Sequence, residues 1–267
     1  MSELYNKVNY SSDISYLNNV FIYELDISKA NINILYSKGC IDKEIYDYLY
    51  NAERMVRQVF IGKLLKNNPE IIKQLKDGII EAKKALFEAN NIQDYEVLSI
   101  KNDAVFLINR IPKVRDFGLI HFAAKNKYTG YYKVRNLEFY YYYNSITKEE
   151  YLHIKGLGDK NYPAHEKYLI QFFKDLFYTI QCNGVEIALR LLKDFYMQYI
   201  SLSLPTGYYR RFGLTNDYHF KINTVVGSGY YINYITDEMK PMIDISYNLN
   251  ILLEMQKILT DMYFVKH

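Results

Sequence analysis

The alternation of apolar and polar positions changes its period several times along this chain, and each change marks an element. "VFIYEL", residues 20–25, is rich in β-branched and aromatic residues and reads as a buried strand whose end carries Asp26. Residues 42–67 set Ile45, Leu49, Met55, Val56, Val59, Phe60 and Leu64 at helical spacing, with Asp42 as N-cap. Pro69 then restarts a helix, "PEIIKQLKDGIIEAKKALFEANN", with proline in its first turn and Asn-Asn at its end. "YEVLSIKNDAVFLINR" consists of two short apolar runs around Lys101-Asn102-Asp103, which predicts a β-hairpin with an acid at its tip. From 117 to 143 aromatic and polar residues alternate, as in further antiparallel sheet, with turns near Tyr128-Thr129-Gly130 and Arg135-Asn136. After "HIKGLGDKNYP" wide apolar faces recur over 164–182 and 184–203, followed by a strand-like "FKINTVVGSGYYINYI" and a last amphipathic helix over 244–263.

This order predicts an α+β protein: an antiparallel sheet with packed helices over 1–160, then a smaller, mainly helical domain over 161–267. Neither an internal repeat nor a long linker interrupts it. With 267 residues, 49% of them hydrophobic, the chain can bury one large core or two unequal ones without metal or disulfide staples. Its 33 basic and 30 acidic residues leave a net charge of +3, which permits a polyanionic partner without demanding one. Cys40 and Cys182 form no CxxC and the five histidines have no metal-ligand spacing, which fits a reducing, cytoplasmic setting and argues against a zinc site. No export signal or membrane span is expected from the apolar runs. The thirty tyrosines, with plentiful Ile, Lys and Asn, look like the imprint of an AT-rich genome, so tyrosine richness is given little functional weight.

The chemistry rests on the two acids. Two strand tips, each bearing an aspartate and joined by a helix-rich connection, suit a two-metal phosphoryl-transfer site, since Mg²⁺ prefers oxygen ligands held on rigid elements. The plainer alternative makes Asp26 a turn residue or helix cap and Asp103 a β-turn residue, and spacing alone favours it.

A resemblance weighs on the other side. "ELDISKANINIL" is similar to the first catalytic block of palm-domain nucleic-acid polymerases, and "KKALFEANNIQDYEVLSIKNDAVFLI" to the palm helix, strand, tip aspartate and returning strand that follow it. "KNKYTGYY" and "YLHIKGLGD" then resemble the Lys-x-Tyr and Lys-Gly elements of family B DNA polymerases, and the helices beyond 163 resemble their thumb, so the likeness spans roughly 20–263. The resemblance implies a palm-like domain with reduced fingers helices at about 40–68, and a thumb-like domain with a C-terminal return. It implies that Asp26 and Asp103 are catalytic and hold Mg²⁺ or Mn²⁺, with the Ile27 carbonyl as a backbone ligand. Asn31, where the family has a sugar-stacking tyrosine, would meet the nucleotide, and Arg54, Arg57 and Lys63 would reach its triphosphate. Lys125, Lys127, Tyr128, Lys155, Arg210 and Arg211 would contact primer-template nucleic acid. The acids are only 77 residues apart, Lys101 replaces the first aspartate of the usual second block, and the usual fingers block is replaced by "NAERMVRQVFIGKLLKNN". With only some twenty residues before the first strand, the implied module is reduced or half of a split one. It would lack an exonuclease domain, with room for a second polymerase subunit supplying fingers or exonuclease.

That reading implies dNTP as substrate, no membrane partner, and a phage- or virus-infected host cell as the setting. Two other readings stand beside it: a catalytically degenerate palm and thumb acting as a nucleic-acid-binding or partner subunit, and an α+β interaction protein with incidental acids. A reverse-transcriptase-like palm ranks below family B, because its Tyr-x-Asp-Asp is missing. "GSG" at 227–229 reads as a turn, His121, His153, His165 and His219 as surface or core residues, and "FYYYYN" at 139–144 as sheet packing rather than base stacking.

Overall fold

The computed structural model describes residues 2–66, 68–135, 137–156, 163–205, 208–211, 221–223, 229–231 and 235–266; for 163–170, 210–211, 221–223, 229–231, 247 and 266 only the backbone is described. The chain is α+β and divides into two compact units, 1–14 with 20–127 and 15–19 with 128–267.

In the first unit the sheet runs in the order β1 (Asn9–Ser11), β3 (Val97–Lys101), β4 (Ala104–Ile108), β2 (Tyr16–Ile27), β6 (Ile120–Val134), with β5 (Asp116–Phe117) paired to β6. The predicted hairpin is β3–β4, closed by Asn102 in the left-handed conformation (φ 57°) that asparagine tolerates. β4 also pairs antiparallel with β2, in a register that sets Asp26 opposite Ala104. Leu25 and Ile27 of β2, Val105 and Leu107 of β4, and Val97 and Ile100 of β3 join one core with four helices: α1 (Ala30–Ser37), α2 (Lys43–Asn51), α3 (Arg54–Lys66) and α4 (Pro69–Asn90). In α4, Leu75, Ile79, Ala82 and Leu86 recur every three or four residues and bury one stripe. Asn91 ends the helix in the left-handed conformation. Gly78 in that stripe is required by close packing, since a Cβ there would lie 2.3 Å from Ile34 Cγ2 of α1.

The single helix predicted over 42–67 is two. Asp42 caps α2 by accepting from the Ile45 amide, as expected, but Ala52 turns extended (ψ 158°) and the helix restarts at Arg54. The break is bridged by the Arg57 guanidinium, which donates to the Ala52 carbonyl. Periodicity missed this because apolar residues continue at helical spacing on both sides.

In the second unit the C-terminal part of β6 pairs with β7 (Leu137–Tyr143), which pairs with β8 (Glu150–Lys155). Helices α5 (Pro163–Cys182), α6 (Val185–Ile200) and α7 (Ser246–Lys266) supply the rest of its core. The tyrosines of this sheet are packing residues: Tyr132 stacks on Phe177 at 4.2 Å and 4°, and Tyr131, Tyr140 and Tyr141 are buried. The turn expected at Tyr128-Thr129-Gly130 is absent, because β6 runs straight through. Gly130 serves a close approach instead, with Gln181 donating to the Thr129 carbonyl. Packing divides the chain at 127/128 rather than 160/161, because β7 and β8 share their aromatic core with α5. Of the second expected turn, Arg135 is left-handed and Asn136 lies outside the described residues, as do His219 and Gly227-Ser228 of "GSG". Among the described residues no helix is long and apolar enough to cross a membrane.

Candidate functional site

Asp26 sits at the C-terminal end of β2 on the face opposite Leu25 and Ile27, and Asp103 occupies the β3–β4 turn one residue before Ala104, the pairing partner of Asp26. Strand pairing thus brings two acids that are 77 residues apart in sequence to one place. They line a cleft of about 410 Å³ together with Ile27, Asn31, Arg54, Arg57, Lys125 and, unforeseen from the sequence, Ser28, Lys29 and Gln58. All of these belong to the first unit.

The two carboxyl groups are close enough for the charge of one to act on the other. Burial pushes the Asp103 pKa up and the Asp26 charge pushes it further, while Lys125 pulls it back. Lys125 Nζ donates to Asp26 Oδ2 at 2.8 Å, and that bond, with the carboxylate's charge, raises the lysine. Beneath the hairpin lies a group absent from every sequence motif. Lys83 of α4 is fully buried and donates to the Lys7 carbonyl at 2.6 Å. Burial lowers its pKa to about 8 against the opposing pull of Asp103.

The turn from strand to helix is fastened by Asn33. Its Nδ2 donates to the Ser28 carbonyl at 2.8 Å, and its Oδ1 accepts from the Tyr46 hydroxyl at 3.0 Å. The Ser28 amide in turn donates to the His121 carbonyl of β6. At the turn itself, Lys29 is left-handed (φ 50°, ψ 39°).

The remaining sequence-predicted residues fall elsewhere. Lys63 is exposed on α3 and does not line the cleft. Lys127 holds its ammonium over the Phe21 ring at 3.7 Å. Tyr128 is fully buried and its hydroxyl bonds to His153 Nδ1 at 2.8 Å, so its ring has no face to offer a nucleic acid. Lys155 is half-buried at the end of β8; Arg210 and Arg211 form a short strand, β9 (Arg210–Arg211), paired with Ile243–Asp244, their side chains lying outside the described set. Lys29 and Gln58 had a signal in the sequence: Lys29 follows Asp26 by three residues, and Gln58 lies one helical turn from Arg54. Lys83 had none, because a lysine in an amphipathic helix reads as solvated until the hairpin over it is known.

Two carboxylates and a backbone carbonyl form an all-oxygen donor set, and Mg²⁺ takes one or two carboxylates and completes its shell with phosphates and water. The residues present therefore fit such an ion. Among the described residues no group of three or more His, Cys, Asp and Glu side chains is arranged to hold a metal by itself.

Fold and site together define an α+β protein with a carboxylate pair at adjoining strand ends, inside a cleft ringed by lysine and arginine. The chain belongs to the family described as Bacteriophage PBS1 gene 130 protein, whose model it matches over residues 1–261. No curated protein matches it.

Proposed function

We propose that this protein is a minimal or split nucleotidyltransferase module, similar to the palm and thumb of family B DNA polymerases, that adds a nucleotide to a primer 3′-hydroxyl under template direction. The observation that carries this reading is the meeting of Asp26 and Asp103 in one cleft with Lys29, Arg54, Arg57 and Lys125 around them. Asp26, Asp103 and the Ile27 carbonyl would hold Mg²⁺ or Mn²⁺, which when bound supplies an activated hydroxyl and neutralises developing phosphate charge. Desolvation and then the neighbouring Asp26 charge raise the pKa of Asp103, and a divalent cation is the natural relief of that repulsion.

The protein's own residues do the positioning. Arg54 and Arg57 offer planar guanidinium forks to a triphosphate, which phosphate accepts in two parallel hydrogen bonds. Asn31, exposed in the first turn of α1, borders the cleft where a nucleotide sugar would lie. Lys127, Lys155, Arg210 and Arg211 are the expected phosphate contacts of the primer-template; such contacts fix register without reading sequence. A second subunit supplying fingers or exonuclease remains part of the proposal, and the family's name supports a setting inside a phage-infected cell.

Primer extension with Mg²⁺ or Mn²⁺ tests this, with the protein alone and with any co-encoded partner. Incorporation is expected from the wild type and a loss of at least 100-fold in Asp26→Ala and Asp103→Ala, the scale of removing a group that stabilises transition-state charge. Extension that survives both substitutions would sink the assignment.

One observation favours a second reading, a degenerate palm-thumb subunit that binds nucleic acid without chemistry. The Lys125–Asp26 ion pair supplies internally the positive charge that a metal would otherwise bring. On this reading no nucleotide is incorporated under any metal.

A further inference from the structure

Lys29 is the cleft cation for which the polymerase resemblance assigns no role. It stands at the reversal from β2 to α1, three residues after Asp26, in a left-handed conformation that costs a non-glycine residue about 1 kcal/mol or more. Glycine or asparagine would fill this turn more cheaply, so the lysine sits here against a local backbone preference. Its ammonium donates to the Tyr50 carbonyl at 2.7 Å and lies 3.3 Å from the centroid of the Tyr50 ring. That carbonyl is in the last turn of α2, among those a helix leaves without an intrahelical partner. Both contacts are to neutral groups. The same side chain borders the cleft that Arg54, Arg57 and Lys125 also line.

A lysine ammonium on a flexible four-carbon stem, held by a carbonyl and an aromatic face, gains more from an anionic oxygen, because charge-assisted bonds to phosphate are roughly twice as strong as bonds to neutral acceptors. Its neighbours in the cleft are differently engaged. Lys125 is already paired with a carboxylate, and Arg57 bridges the α2–α3 break. Lys29, unlike Lys125, is therefore held by neutral groups alone, contacts that an anionic ligand can replace. We propose that Lys29 is a polyphosphate ligand of the cleft, held in reserve on Tyr50 and transferred to the triphosphate of an incoming nucleotide. This rests on reading the cleft as a nucleotide site. It also couples ligand arrival to α2, whose last turn loses its cation when Lys29 leaves.

The test is calorimetric titration of dTTP and dTMP, with Mg²⁺, into the wild type and into Lys29→Ala, Lys29→Arg and Lys29→Gly. The expected result is that Lys29→Ala and Lys29→Gly weaken dTTP at least tenfold, that dTMP changes by less than threefold, and that Lys29→Arg stays within threefold of wild type. Lys29→Gly relieves the backbone strain and is expected to melt no lower than wild type, so its lost affinity is not lost fold. Wild-type dTTP affinity in both Lys29→Ala and Lys29→Gly overturns the inference, leaving the lysine a cap on α2 and the nucleotide site intact. Failure of the wild type to bind dTTP overturns the site itself, and the inference with it.

Discussion

Asp103 shows how much a single residue's setting alters its chemistry. In the hairpin turn it is a residue type that turns favour, and nothing local distinguishes it from a solvated turn acid. Burial and the Asp26 charge then raise its pKa. A raised aspartate binds its proton more tightly in the folded chain than in the unfolded one. The stability this contributes is complete below the ordinary aspartate pKa and is lost as pH rises through the raised value. Above the raised value, metal-free protein therefore carries a repulsion that Lys125 relieves only in part. Asp103→Asn is expected to raise the melting temperature at pH 7 in EDTA by about 1–2 °C, the scale of a fraction of a kcal/mol in a chain of this size. The gain should fade as pH falls through the raised Asp103 value toward the ordinary aspartate range. Mn²⁺ should stabilise the wild type and leave the variant unmoved. A melting curve indifferent to metal in both proteins would argue against cation binding at this pair.

Among the elements, those defined by local signals were legible from the sequence. The β3–β4 hairpin, α4 with its proline start and asparagine stop, and the three later helices all follow their periodicity and end signals. Failures came where a distant contact overrode a local one. Thr129-Gly130 has turn composition, yet Gln181 claims the Thr129 carbonyl and fits beside Gly130 only because no Cβ is there. Gly78 has the opposite history: a helix-weakening residue kept because α1 passes within reach. Gly78→Ala would gain about 1 kcal/mol of helix propensity. The new Cβ must displace the Ile34 methyl, which is stiff at χ1, and overpacking of that kind costs about 1–3 kcal/mol. A net loss is expected, read as a lower urea midpoint with unchanged slope; a midpoint at or above wild type would mean that α1 and α4 yield more easily than their packing suggests.

Over the whole molecule, the apolar residues form two cores, one in each unit. The α+β class could be read from the order of elements. The division at 127/128 could not, because it depends on which strands share aromatic packing with α5, and sequence pattern says which residues are apolar without saying which partners they meet. The candidate site was half legible: Asp26, Ile27, Asn31, Arg54, Arg57, Asp103 and Lys125 do line one cleft. Lys63 and Tyr128 do not, the first because α3 turns it outward and the second because its ring is buried and its hydroxyl bonds to His153. Net charge of +3 is too small to bind a polyanion through the average field, so any such binding must come from locally grouped cations. If Lys127, Lys155, Arg210 and Arg211 hold the primer-template backbone, log K for primer-template DNA is expected to fall with log salt at a slope of roughly −3 to −4. Binding that ignores salt, or no binding at low salt, would count against a nucleic-acid role under either reading of the cleft.

The register that sets Asp26 opposite Ala104 has a consequence for how such a site can vary. Because side chains alternate faces along a strand, lengthening or shortening the Asn102-Asp103 turn by one residue would send an acid to the wrong side while leaving both letters in the sequence. Relatives of this chain should therefore tolerate many substitutions across the hairpin and very few insertions or deletions. The function proposed here is written as much in a count of residues as in their identities.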